Sequence, residues 1–179
     1  MVALTLASSD GAASRGAYLQ DWGIADMRRA VVASGAVVVS ENNSEDPFIA
    51  ARTKGGLKFT VSGRVCNGKA GGRRCRGAFV RSSFSLEDED EVDAAVKEWG
   101  PKFAAVAISI DGDHGVLVSR YLIFDYGMHR DNLRLNLEVF TGIAEEVWDG
   151  IGGVEVPQKD PSPLDERIEI AAHEITGAA

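Results

Sequence analysis

Residues 56–84 read GLKFTVSGRVCNGKAGGRRCRGAFVRSSF, and this stretch decides the fold. Leu57, Phe59 and Val61 alternate with Lys58, Thr60 and Ser62, the two-residue period of a strand with one apolar face. Phe79, Val80 and Phe84 lie in a returning segment rich in small and β-forming residues, with apolar side chains on both faces. Residues 67–74, rich in glycine and arginine, make the loop between them. The whole reads as a β-hairpin with Cys66 and Cys75 at the shoulders of its loop.

Upstream, residues 21–34 are predicted to be a helix. Ile24, Met27 and Val31 recur on one face, Asp26, Arg28 and Arg29 fall away from it, and Gly35 stands where it must stop. A short β-branched run over 36–40, a polar turn over 41–46 and a second brief strand over 47–52 follow, and Gly55-Gly56 reverses the chain into the hairpin. Downstream, Ser85-Leu-Glu-Asp reads as a capping box, with the acidic run 87–91 at a helix N-terminus, where negative charge is favoured. Val92, Val96 and Trp99 form the stripe of that helix and Gly100-Pro101 its stop. Residues 103–110 are predicted as a strand with Val106, Ile108 and Ile110 on one face, turning through 111–115 into an antiparallel partner over 115–124. The last core helix spans 130–150, where Leu133, Leu137, Phe140, Ala144, Val147, Trp148 and Ile151 make one continuous apolar stripe.

The expected fold class is therefore α+β, an antiparallel sheet packed by helices in the order α-β-β-β-β-α-β-β-α. Residues 1–19 are expected to be a flexible N-terminal tail, 20–151 the domain, and 152–179 a Pro/Gly-rich linker with a short C-terminal helix or disordered tail. In that last stretch Leu164, Ile168, Ala172 and Ile175 form a weak stripe able to dock on the body or on a partner.

At 179 residues the chain is long enough for one domain with a real core. A net charge of −8 argues against a general nucleic-acid binder, since that field repels phosphate at long range. No run approaches the roughly 18 apolar residues of a spanning helix. The start of the chain lacks a basic n-region and an uninterrupted apolar h-region, so it does not read as a secretory signal; a flexible tail, or a start that replaces a removed leader, fits it better.

Candidate chemistry is sparse. Cys66 and Cys75 face each other across the hairpin, so a disulfide leads, with two reduced thiols as the alternative; zinc needs four ligands and no histidine stands near them in sequence. Lys69, Arg73, Arg74 and Arg76 crowd the loop among glycines, either as a solvated tip or as a grip for an anionic partner. The tip lacks the Gly-Lys-Ser/Thr that opens a phosphate-binding helix. Asp111, Asp113 and His114 read as a hairpin turn, and His129 with Asp131 and Asn132 as the start of the last helix.

The order of elements, together with Gly35, Pro47-Phe-Ile, Gly56-Leu-Lys-Phe-Thr-Val, Cys66 and Cys75, Glu98-Trp99 with Phe103, the Asp111 turn, Asn132-Leu133 and Val147-Trp148, resembles the YbjN family. These are bacterial proteins described as putative sensory transduction regulators, with a fold similar to type III secretion chaperones. The resemblance covers about residues 20–150. It implies a small antiparallel sheet packed by helices, an inclination to dimerise, a regulatory or chaperone-like binding role, and no catalytic residues or cofactor. It also implies a periplasmic or secreted setting if a leader has been trimmed, and a cytoplasmic one otherwise. The expectation is a non-enzymatic protein-binding or regulatory module whose partner is another protein or a second copy, not nucleic acid or membrane. The alternative is a small-ligand or anion sensor using Lys69, Arg73, Arg74 and Arg76.

Overall fold

The computed structural model describes residues 18–155 other than 70, 113 and 153. Over these the chain runs β1 (Tyr18–Leu19), α1 (Ile24–Ala33), β2 (Val37–Asn42), β3 (Phe48–Arg52), β4 (Lys58–Asn67), β5 (Arg74–Ser85), α2 (Glu89–Trp99), a 3₁₀ turn (Gly100–Lys102), β6 (Ala107–Ile110), β7 (Gly115–Ile123), β8 (Met128–His129), α3 (Arg130–Ile151) and β9 (Val154–Glu155). The long strands form one antiparallel sheet in the order β2-β3-β4-β5-β7-β6, β9 joins it on β5, and β1 and β8 pair as a separate ribbon. The α+β class and the predicted order of long elements are those observed.

The differences are local. Ser85 caps nothing: it is the last residue of β5, opposite Gly115, because a ladder running from Gly77 to Ser85 outweighs one local cap. Asp88 is the N-cap of α2 instead, its carboxylate accepting from the Asp90 N–H at 2.9 Å. The helical turn carries on through Gly100, whose φ of −53° is open to a residue without a Cβ even before proline. Of the strand expected over 103–110 only Ala107–Ile110 pairs; Phe103 stacks on Trp99 at 6.2 Å instead of joining the ladder. The expected domain limits at 20 and 151 are each overrun by a two-residue strand, β1 and β9. The remainder of the two predicted tails lies outside the described residues.

All three helices lie on one face of the sheet. α1 touches α3, and Trp99 of α2 lies so close to Gly150 of α3 that a Cβ there would fall 2.1 Å from the ring. Against them the sheet presents Ile49, Phe59, Val61, Val80, Phe84, Val116 and Val118, and the helices answer with Met27, Val31, Leu133, Leu137, Phe140 and Val147, all buried. Phe59 and Phe140 meet with ring centres 6.2 Å apart. Each such side chain, fully buried, contributes about 1.5–3 kcal/mol. The most enclosed large residue is one that no periodicity announced. Trp22 is fully buried, exchanges backbone hydrogen bonds with Cys75 (2.9 and 2.8 Å), and donates its indole N–H to the Gly77 carbonyl at 2.9 Å.

Candidate functional site

The cysteine hairpin holds the middle of the sheet. Cys66 and Cys75 sit opposite each other with their sulfurs at bonding distance, 2.05 Å. Just before Cys66, Val65 adopts φ +52°, and along β5 the burial pattern changes phase between Gly77 and Ala78. The tip is thereby turned over relative to the body of the hairpin, which places Cys75 in the core.

That inversion divides the four basic residues of the tip. Arg74 reaches back to α1 and the segment before it, bonding Asp21 through Nε at 2.8 Å and Asp26 through Nη1 at 2.8 Å. Arg76 makes an exposed ion pair with Asp125 at 3.6 Å. Lys69 is exposed, and Arg73 is half-buried with an Nε that has no hydrogen-bond partner among the described residues. They do not converge on a common point, and two of them already face carboxylates.

Asp26, expected on the solvated side of α1, is buried instead. Its carboxylate caps its own helix by accepting from the Gly23 N–H at 3.2 Å, and it also accepts from Arg29, Arg74 and Arg130. Burial opposes its charge, but the Gly23 N–H and the Arg74 and Arg130 guanidinium groups outweigh burial and hold the pKa below the ordinary aspartate value of 3.8. One carboxylate thus ties α1, the hairpin base and the start of α3 together. Arg120 lies in the same cross-strand row as Val61 and Val80, on the helix-covered face. Its Nη1 is buried without a partner among the described residues, and burial pushes its pKa down.

The other face of the sheet carries a different chemistry. Register places its side chains in rows: Arg52 beside Lys58; Thr60, Arg81 and Ser119; Phe48, Ser62, Phe79 and Tyr121; Arg64, Gly77 and Ile123. Among the described residues no helix packs over these rows, and Tyr121 and Ile123 are 48% and 61% exposed. Gly77 is required here, since a Cβ would stand 2.2 Å from the Tyr121 hydroxyl. The Arg64 guanidinium lies 5.5 Å from the centre of the Phe79 ring, close enough for a cation–π contact. Burial raises the Tyr121 pKa, Arg64 offsets part of that and Asp125 adds to it. The face bears four cations, Arg52, Lys58, Arg64 and Arg81. Two acids border it: Asp111, whose carboxylate accepts the Ser83 hydroxyl at 2.6 Å, and Asp125, which acts on the Tyr121 hydroxyl. In a chain of net charge −8 this is a basic, partly aromatic surface four strands wide, from β3 to β7.

The alternation Lys58, Thr60, Ser62, Arg64 was visible in the sequence as the polar face of a strand. Its neighbours Phe79, Arg81, Tyr121 and Ile123 come from two other strands and were not joined to it.

Of the residues weighed for catalysis, Asp113 lies outside the described residues, and His129 and Asp111 take structural parts. His129 is the N-cap of α3, its Nδ1 accepting from the Asp131 N–H at 3.2 Å, and Asp111 closes the β6–β7 turn with its N–H on the Gly115 carbonyl. Among the described residues no group of three or more His, Cys, Asp or Glu side chains could hold a metal ion, and no helix is long and apolar enough to cross a membrane. Comparison of the chain with protein-family models, with curated proteins and with solved structures finds no match.

Proposed function

We propose that this chain is a non-enzymatic protein-binding or regulatory module of the YbjN kind, and that it recognises its partner on the face of the sheet over which no described helix packs. The observation that carries this is the contrast between the faces. One is sealed by three helices; over the other no described helix packs, and it carries Arg52, Lys58, Arg64 and Arg81 around a half-buried Phe79 and the exposed Tyr121 and Ile123. Aromatic and arginine side chains at the centre of a surface are the residue types that carry most binding energy, because they bury large area at low entropic cost and hold carboxylates in fixed geometry. The matching partner is an acidic protein segment with an apolar side. Its carboxylates meet the cations at the rim, its apolar side covers Tyr121 and Ile123, and the local positive field steers its approach. The aromatic side chains of the sheet favour it over the hairpin tip, which has none and where Arg74 and Arg76 turn to different carboxylates, Asp21 and Asp26 for one and Asp125 for the other.

An array of acidic, amphipathic peptides probed with the full chain tests the reading. Binders are expected, weakening as salt rises. Arg64→Glu with Arg81→Glu is expected to lower affinity at least tenfold, while Lys69→Ala with Arg73→Ala leaves it within twofold. No binder in the array, or binders indifferent to Arg64 and Arg81, would overturn the assignment.

A further inference from the structure

We infer that the cleft between α1, the β3–β4 turn and the middle of α3 binds a small molecule that carries a primary ammonium group beside a carboxylate, a free amino acid. The inference goes beyond the recognition surface on the sheet and does not depend on it.

The cleft has a volume of about 230 Å³. That is below the roughly 300–1,000 Å³ of sites for drug-sized ligands, so its occupant is smaller. Its polar lining comes from three elements: Ser34 at the C-cap of α1, Thr53 and Lys54 in the turn, and Thr141 and Glu145 one turn apart on α3. Two contacts shape it. The Gly56 N–H donates to the Thr53 carbonyl at 3.2 Å, which puts Lys54 and Gly55 at the centre of the turn. Gly55 then lies so near α3 that a Cβ on it would stand 2.7 Å from Glu145 Oε1. Thr53 donates its hydroxyl to the same carboxylate oxygen, so Glu145 is held against the turn.

The chemistry of this lining is one-sided. A hydroxyl has one proton and two lone pairs. Ser34 donates its proton to the Val31 carbonyl at 2.8 Å, and Thr141 shares its own between the Leu137 and Glu138 carbonyls at 3.0 and 3.1 Å. Thr53 gives its proton to Glu145. All three therefore offer the cleft only acceptors, beside a carboxylate with no other partner among the described residues. The end of α1 adds to this: it is the negative pole of that helix, and no basic residue stands in its last turn. The group that matches such a wall has several N–H donors, a positive charge and no acceptor to satisfy, which describes a primary ammonium. Lys54 is the exception in the lining, an exposed cation without an ion pair among the described residues. Lys54 and Glu145 border the same cleft without pairing, which leaves opposite charges for the two ends of one zwitterion.

Thermal melting and calorimetric titration of the full chain with each common amino acid at about 10 mM test this, with methylammonium, acetate, potassium and calcium as controls. At least one amino acid is expected to raise Tm, and no control to match it. Glu145→Gln, which keeps an acceptor for Thr53, is expected to weaken that binding about tenfold or more. Gly55→Ala retains every charge but pushes the carboxylate aside, and should weaken it as well. Lys54→Met should weaken the amino acid and leave its methyl ester, which has no carboxylate, unchanged. No response to any amino acid, or a response indifferent to both Glu145→Gln and Gly55→Ala, would overturn the inference. So would methylammonium, potassium or calcium binding as well as the amino acids, since the cleft would then hold a plain cation. Arg64→Glu with Arg81→Glu should leave amino-acid binding intact, so that failure of the sheet surface and failure of the cleft are read apart.

Discussion

Asp26→Ala is the perturbation that best probes how the fold is held. The side chain is 8% exposed, and its removal takes an acceptor from the Gly23 N–H and from three guanidinium groups, of which Arg74 keeps Asp21. Breaking a buried ion pair costs about 3–5 kcal/mol. Here Arg29, Arg74 and Arg130 are 64%, 44% and 39% exposed, so they rehydrate and the cost falls toward the lower end. We expect about 2–3 kcal/mol, which in a domain of this size lowers Tm by roughly 6–15 °C. Asp26→Asn keeps an acceptor for Gly23 and should lose about half as much. The acid dependence has a definite sign. Because the folded pKa is depressed below 3.8, the stabilisation by the charged carboxylate is fully present above that value and disappears as pH falls through the folded pKa. Urea unfolding of wild type and Asp26→Asn should therefore show a constant gap between about pH 5 and 8 that closes below about pH 4. A loss in Asp26→Ala under 2 °C, or a gap that widens in acid, would refute the account of the three-arginine clasp.

Closing the ten-residue loop from Cys66 to Cys75 is worth about 2.7 kcal/mol on chain-entropy arithmetic. Cys66→Ser with Cys75→Ser should lower urea stability by that order, and a reducing agent should then shift wild type but not the double variant. The two interior glycines of α3 should answer in opposite directions. A Cβ at Gly142 meets nothing within 4 Å, so Gly142→Ala is expected to stabilise by about 0.5–1 kcal/mol through helix propensity. Gly150→Ala drives a Cβ into the Trp99 ring and should destabilise by about 1–2 kcal/mol net of the same gain, with altered tryptophan fluorescence as a second readout.

The sequence made the long elements legible because each has its own periodicity: 3 and 4 in α3, 2 in β4. What it hid depends on partners far along the chain. Trp22 sits in no stripe, yet it is buried because it completes the edge of β5 at Cys75, 53 residues away. Asp26 reads as a solvated helix residue until Arg74 and Arg130 arrive from the hairpin and from α3. Ser85 matches a cap by local pattern, but strand pairing with Gly115 decides its place. The basic face is the same lesson at the level of the site. Lys58, Thr60, Ser62 and Arg64 give half of it in one strand, while Phe79 and Tyr121 join only once the register of β5 and β7 is known. The lysine and three arginines of the tip stood out because they fall within residues 69–76, yet Arg74 and Arg76 turn to different carboxylates, Asp21 and Asp26 for one and Asp125 for the other.

The two rims of the large sheet have a consequence for its behaviour at high concentration. β2 exposes Val37 and Val39, but its register slips between Val38 and Ser40, and an irregular ladder is a poor template for another strand. β6, at the opposite rim, is four residues long. Neither border offers the straight, extended ledge from which filaments propagate, so crowded solutions should stay clear of fibrils, and dye-binding assays over days at elevated concentration should remain flat.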